Sequence, residues 1–359
     1  MRVAVLGIGL IGGSIGLAAK RFGAQVCGYD HDAEVGARAL QRGAIDSQAP
    51  DLHAAVAGAD AVFVATPVGV LPATVRDALA GASPECVVSD VGSTKRLLLA
   101  AGADERFVGG HPLAGAETAG VEYAREDLFQ GATWYLTPTA GTSGVLYERL
   151  HRLLVGLGAQ PTAIDAELHD RLMASFSHFP HVLANLLVGL GSARVAGALD
   201  AGERLPAAGP SFRDATRVAG ANTAIWTDIY ISNRDALIAE IDEAIGRLGE
   251  VRAHLDGGDA AAVAAWNERA REQREALLGA GFAGGSPHEL RVSVPNRPGV
   301  IAEIALALGR AGVNIVDMAL APSADNSQGV IALWVRGAEH LRRTRELIDE
   351  LGFPVMVAP

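Results

Sequence analysis

Three groups of polar side chains have types and spacings that can do chemistry. The first is His111, alone in the small-residue stretch FVGGHPLAGAETAG from Phe107 to Gly120. Near neutral pH an imidazole can accept the proton of a substrate hydroxyl. Pro112 stiffens the turn, and the small neighbours leave room for a ligand. A histidine hydrogen-bonded inside a loop reads equally well from this stretch alone. The second group is SDVGSTK, Ser89 to Lys95, where Ser93 offers a hydroxyl and Lys95 a charge. The alternative there is a helix cap by Ser93 with Lys95 in solvent. The third is Arg213 and Arg217, four residues apart and therefore on one face of a helix. Guanidinium groups bind carboxylates through two parallel hydrogen bonds. A solvated helix face with an Arg–Asp pair is the plain alternative.

His178 and His181 lie three apart in ASFSHFPHVLA, a spacing that can ligate a metal. No carboxylate-rich or cysteine-rich partner lies nearby, and Pro180 stands between them. No metal is expected. Packing against the cofactor cleft, or a substrate contact by one histidine, His181, is the expectation.

A cofactor signal stands at the start of the chain. RVAVLGIGLIGGSIGLAAK places Gly7, Gly9 and Gly12 in the spacing G-x-G-x-x-G, after a β-branched run and before a helical one. Gly7 serves the tight turn, Gly9 the approach of a pyrophosphate, and Gly12 the helix–strand packing. Leu10 and Ile11 open the helix whose N-terminus attracts phosphates. Asp30, ending GYD, falls where a carboxylate bonds a ribose hydroxyl and repels a 2′-phosphate, which favours NAD over NADP. Thr66 and Pro67 in ATPVG end another strand-like run and are expected on the nicotinamide side of the cleft.

These residues need a scaffold that brings strand ends together. Short β-rich runs (RVAVLG, QVCGYD, AVFVATP, CVVSDVG, RFVGGHP, TWYLTPT) alternate with Ala/Leu-rich segments up to about Asp165. That rhythm predicts an α/β Rossmann-like domain with a mostly parallel sheet over residues 1–165. Residues 166–280 show helical periodicity instead. Leu237, Ile241, Ile245, Leu248 and Val251 fall on one stripe. HVLANLLVGLGSARVAGAL is too apolar for a lone surface helix, so a helical domain packing on itself or on a second subunit is expected. After the Gly-rich stretch Gly279–His288, residues 286–359 read as βαββαβ, a ferredoxin-like α+β unit.

Composition narrows the function classes. The chain has 359 residues, 49% hydrophobic and 20% charged, as in a soluble globular protein. Its net charge of -11 argues against nucleic-acid partners. The only two cysteines, Cys27 and Cys86, read as buried inert thiols, which excludes a disulfide framework and points to a reducing cytoplasm. No apolar run reads as long and uninterrupted enough to span a membrane.

Taken together, GIGLIGGSIGLA, DVGSTK, GGHPLAGAETAGVE, LFQGATWYLTPT, SHFPH and SFRDATRVA…IWTDIYISN resemble the prephenate dehydrogenase family over roughly Met1 to Leu278. VPNRPGVIAEIALALGRAGVNI resembles an ACT domain. The resemblance implies NAD-dependent oxidative decarboxylation of prephenate to 4-hydroxyphenylpyruvate in tyrosine synthesis. It implies that His111 bonds the ring hydroxyl and draws its proton. Ser93 would contact that hydroxyl and help place the nicotinamide. Arg217 would hold a substrate carboxylate with Arg213 in support, and Glu117 would stand near the substrate side chain. The helical domain would form a homodimer. The ACT unit would bind an amino acid, tyrosine being the logical feedback ligand, with Arg297, Gly299 and Asn314 as effector residues where two such units pair. One departure is GPSFRD, with Pro210 and Ser211 where a Gly-rich lead is usual. No chorismate mutase segment precedes Met1, so a fused bifunctional enzyme is not expected.

Two other substrates or classes compete. Arogenate differs from prephenate by an amine in place of the side-chain ketone, and the sequence does not separate the two. A β-hydroxyacid dehydrogenase needs a catalytic lysine in its helical domain, and residues 166–278 contain none. A non-catalytic NAD- and amino-acid-sensing regulator would not need the His111, Ser93 and Arg217 set.

Overall fold

The computed structural model describes residues 1–115, 118–200, 209–279, 287–322 and 328–357. The chain forms two compact units. One comprises Met1–Asp170, Ala221–Ser232 and Gly285–Pro359; the other Arg171–Gly220 and Asn233–Gly284.

The first unit is built on eight strands: β1 (Arg2–Leu6), β2 (Gln25–Tyr29), β3 (Ser47–Gln48), β4 (Ala61–Val64), β5 (Val87–Asp90), β6 (Phe107–Pro112), β7 (Thr133–Thr137) and β8 (Gln160–Ala163). Their order across the sheet is β3-β2-β1-β4-β5-β6-β7-β8. β1 and β4 are almost wholly buried apolar runs, as strands covered on both faces must be. All neighbours pair parallel except β6 and β7. Between those two, the described residues hold only a short 3-10 turn, Val121–Tyr123, and no crossover helix, so the strand returns antiparallel. The parallel strands β1, β2, β4, β5 and β6 therefore end along one edge of the sheet. The nucleotide and catalytic candidates of this unit lie at or just after those ends.

A second sheet contains β9 (Pro287–Pro295), β10 (Ile315–Pro322), β11 (Gln328–Arg336) and β12 (Val355–Val357), in the antiparallel order β10-β11-β9-β12. Helices Val300–Arg310 and Ala338–Glu350 complete the expected βαββαβ unit. Its core is continuous with that of the nucleotide sheet: Leu150 and Leu154 share one cluster with Ile301, Leu308 and Met318. Gly309 permits this seam, because a Cβ there would lie 1.9 Å from the carbonyl oxygen of Ala163 at the end of β8.

The other unit is helical. A helix begun at Ala166 passes through a π turn, Ala174–His178, into Phe179–Asp200. The π turn opens the hydrogen-bond ladder just ahead of Pro180, so the proline does not break the helix. This corrects the membrane expectation. Ala166–Gly197 is one 32-residue helix long and apolar enough to cross a membrane by length and composition, and only 6% of its most apolar window is buried. Leu186, Leu190 and Val195 are exposed along it. On the helix Arg234–Asp256, Leu237 is buried while Ile245 and Leu248 of the same stripe are exposed.

One cysteine also departs from expectation. Cys86 is buried, but Cys27 is only half-buried, because alternation along β2 turns Val26 and Gly28 inward and Cys27 to the other face.

Candidate active site

The glycines of the first turn divide their work by geometry. Gly7 adopts a left-handed φ of 88°, and a Cβ there would lie 2.6 Å from the carbonyl oxygen of Ala65. A Cβ on Gly12 would lie 2.0 Å from the carbonyl oxygen of Gly7, so the helix Leu10–Arg21 can sit this close only with glycine. At Gly9 a Cβ would meet nothing within 4 Å. The chain itself does not need that glycine, which leaves space for a ligand.

The helix behind it has no acidic residue in its first turn and no side-chain cap at Gly9. Its first N–H groups suit a pyrophosphate. Asp30 accepts the Ile8 N–H at 2.8 Å and the Asp32 N–H at 3.1 Å, so it braces the glycine turn and retains lone pairs for a ribose. Thr66, after β4, has a buried hydroxyl with no partner among the described residues, and Pro67 beside it is exposed. The unmatched hydroxyl and the open face of Gly9 fit a bound dinucleotide.

His111 stands near the end of β6, half-buried. Its Nδ1 lies 2.9 Å from Nε2 of His169, whose Nδ1 lies 2.8 Å from Oδ1 of Asp170. Burial works to raise the Asp170 carboxyl, but the His169 bond and the backbone N–H groups of Arg96 and Lys95 outweigh it and hold the group below its ordinary range. Burial pushes His169 down, with Lys95 helping, against the pull of Asp170. A carboxylate only accepts, so His169 donates through Nδ1. Neutral His169 then presents a lone pair at Nε2, and the 2.9 Å contact requires a proton on His111 Nδ1. A neutral His111 consequently carries its lone pair on Nε2, the state required of a proton acceptor.

Ser93 follows β5 by three residues, beside the strand that carries His111. It does not cap the following 3-10 turn, whose cap position is Lys95. Lys95 is not in solvent. It is 1% exposed, and its Nζ bonds Asp90 Oδ2 and, at 2.6 Å, the carbonyl of Gly110. The two glycines before His111 admit close neighbours: a Cβ on Gly109 would collide with Thr137 Oγ1, and one on Gly110 would lie 2.6 Å from the Asp90 carbonyl oxygen and 2.7 Å from Ser89 Oγ. These two glycines serve strand packing, whereas at Gly115, after His111, a Cβ would meet nothing within 4 Å. His169, Asp170 and the buried Asp90–Lys95 pair escaped the sequence reading. The adjacent His-Asp in AELHDRL, directly after the strand-like QPTAID, was the available signal.

In the helical unit, Arg213 lies on the short helix Pro210–Thr216 and Arg217 caps its C-terminus. Both are exposed. Burial, then the neighbouring Arg217 charge, pushes His181 below its ordinary value, which places those two side chains near each other. His178 is buried and its Nδ1 lies 3.1 Å from Asn233 Nδ2, a packing role. Glu117 lies outside the described residues. Among the described residues no group of three or more His, Cys, Asp or Glu side chains is placed to hold a metal ion.

Of the effector candidates, Arg297 pairs with Glu303 at 2.8 Å. Gly299, with φ 83°, donates its N–H to Thr142, and Asn314 accepts from Thr162 at 3.4 Å. Gly299 and Asn314 thus meet the nucleotide part of their own chain. A cavity of about 360 Å³ opens there, lined by Glu105, Ser143, Asn296 and Arg297 among others.

Residues 15–162 match the prephenate dehydrogenase nucleotide-binding domain, 165–268 the prephenate dehydrogenase dimerization domain, and 288–347 the ACT domain. The chain is 32% identical to prephenate dehydrogenase of Bacillus subtilis over 97% of this chain and 95% of that one. It is 33% identical to cyclohexadienyl dehydrogenase of Zymomonas mobilis over 72% of this chain and 89% of that one. Prephenate dehydrogenase from A. aeolicus, solved with hydroxyphenyl propionate and NAD+, superposes with a TM-score of 0.68 at 26% identity, covering 77% of this chain and 98% of the other. The protein is a dehydrogenase with an NAD-binding Rossmann-like domain, a helical dimerisation domain and an ACT domain. By sequence and by fold, the chain belongs to the prephenate dehydrogenase family.

Proposed function

We propose that this chain catalyses the NAD-dependent oxidative decarboxylation of prephenate to 4-hydroxyphenylpyruvate. The observation that carries the reading is the His111–His169–Asp170 chain, which leaves the acceptor lone pair of His111 on Nε2. His111 accepts the proton of the ring hydroxyl through that atom, and Ser93 holds the same hydroxyl. Bound NAD supplies the hydride acceptor. Loss of the ring carboxylate as carbon dioxide aromatises the ring and makes the step effectively irreversible. Orientation and polarisation are the protein's task. Arg217 binds a substrate carboxylate, with Arg213 in support, His181 contacts the substrate, and Glu117 stands near its side chain. Asp30 favours NAD over NADP through the ribose.

The exposed apolar face of Phe179–Asp200 fits a homodimer through the helical domain. The ACT unit takes an amino-acid effector, tyrosine by the logic of feedback, near Arg297, Gly299 and Asn314. We place the enzyme in the reducing cytoplasm, where Cys27 and Cys86 remain thiols.

The likeness to a solved Synechocystis arogenate dehydrogenase, 25% identical with a TM-score of 0.67, favours keeping arogenate as a second substrate. NADH formation with prephenate and with arogenate, each with NAD and NADP, tests the reading. Turnover of prephenate with NAD supports it. Turnover of arogenate alone keeps the His111 chemistry and changes the substrate. Turnover of neither overturns the assignment and favours the sensor reading.

A further inference from the structure

Lys95 is buried at the junction of two structures that orient His111. Its Nζ bonds the carboxylate of Asp90 and the carbonyl of Gly110, the residue before His111. Asp90 closes the same clamp from the other side, accepting the Gly110 N–H at 3.0 Å and the Gly92 N–H at 2.8 Å. Gly110, the residue leading into His111, is therefore gripped at both its N–H and its carbonyl. The main chain of Lys95 acts elsewhere. Its N–H donates at 2.8 Å to Asp170 Oδ1, the oxygen that also holds His169.

We propose that Lys95 is a positioning residue for proton transfer. Its side chain fixes the strand that carries His111, and its backbone fixes the carboxylate at the far end of the His111–His169–Asp170 chain. The inference rests on His111 being the proton acceptor.

The alternative is that Lys95 only neutralises a buried Asp90. Cost and chemistry separate the two. A buried ammonium is expensive to desolvate, and an apolar pair of similar volume often stabilises a fold as well. Neutralisation alone would not require the bond to Gly110 or the reach to Asp170. The charge has a second effect. Around the His169 ring stand His111 from β6, Tyr135 from β7, Lys95 and Asp90 from β5 and its turn, and Asp170 from its own helix, with Arg96 on Asp170. Lys95 is the group in that set whose charge opposes protonation of His169. A protonated His169 would donate from Nε2 to His111 Nδ1 and move the proton of His111 to the wrong nitrogen.

The test compares wild type, Lys95→Met and the double variant Asp90→Asn/Lys95→Met in the full-length protein. Turnover, NAD affinity, unfolding temperature and the pH profile of kcat/KM are measured. Lys95→Met is expected to lower kcat by roughly 10- to 100-fold, the scale of a misplaced catalytic group. Its NAD affinity should stay near that of wild type, and the acidic limb should move to higher pH. The double variant should recover the unfolding temperature but not kcat. Recovery of kcat in the double variant would reduce Lys95 to a counter-ion and overturn the proposal. So would unchanged kcat in Lys95→Met, or a loss confined to NAD binding. NMR titration of the histidine rings reads the same geometry without turnover, and a His169 midpoint unmoved in Lys95→Met also overturns it. Wild-type inactivity on every cyclohexadienyl substrate would instead sink the functional reading, with the ring titration still deciding the role of Lys95.

Discussion

His111 Nδ1 and His169 Nε2 lie 2.9 Å apart, and the polarity of that contact is dictated from its far end by Asp170. Two residues distant in sequence thus decide which nitrogen of His111 carries the open lone pair. His111→Asn should cut turnover by roughly 100-fold or more, the usual worth of general-base catalysis, with NAD affinity retained. His169→Asn should cost less, because it misorients the acceptor without removing it. The check is kcat for both variants beside NAD binding. A His169→Asn enzyme with wild-type kcat would falsify the chain as a catalytic element.

The glycine turn gives a paired prediction. Gly12→Ala drives a methyl against the Gly7 carbonyl, a backbone contact that cannot swing aside. It should destabilise the protein by about 1–3 kcal/mol, the range for overpacking, and lose NAD binding with it. Gly9→Ala meets nothing in the protein, so the fold should survive while NAD affinity falls. Thermal unfolding and NAD titration separate the two. Equal unfolding losses in both variants would mean that Gly9 serves the chain rather than the ligand.

Much of this architecture is legible in the sequence because it rests on local pattern. The β-branched runs became the sheet, the G-x-G-x-x-G spacing became the nucleotide turn, and the βαββαβ order of the C-terminal unit was read directly. What escaped depends on residues brought together from far apart. Nothing near Lys95 announces that its charge is buried, because Asp90 and Gly110 become its partners only once β5 and β6 pair. His169 and Asp170 look like an ordinary polar pair on a helix until β6 brings His111 to them. The two glycines directly before His111 admit Thr137, Ser89 and the Asp90 backbone, neighbours that arrive only once β5, β6 and β7 pair. The long apolar helix was not visible as one run because its apolar part joins the residues from Ala166 through a π turn, which composition does not show.

The seam between the ACT unit and the nucleotide sheet carries a pH-sensitive group. His151, on the helix Gly144–Gly156, is buried against the Ile315 backbone. Burial pushes its pKa from 6.5 down to about 4, against the opposing charge of Asp317 on β10. The unfolded chain therefore binds a proton that the folded one refuses throughout the interval from 6.5 to about 4. Stability from this residue is fully present above the unfolded value and declines as pH falls through the interval, by an amount on the order of 2–3 kcal/mol at its acid end. His151→Leu, close in volume and unable to titrate, should flatten that part of the pH dependence. Unfolding temperatures of wild type and variant at pH values spanning the interval make the comparison. An equal decline in both would show that other groups set the acid sensitivity. A flatter curve for the variant would identify His151 as the residue that loosens the ACT seam in acid.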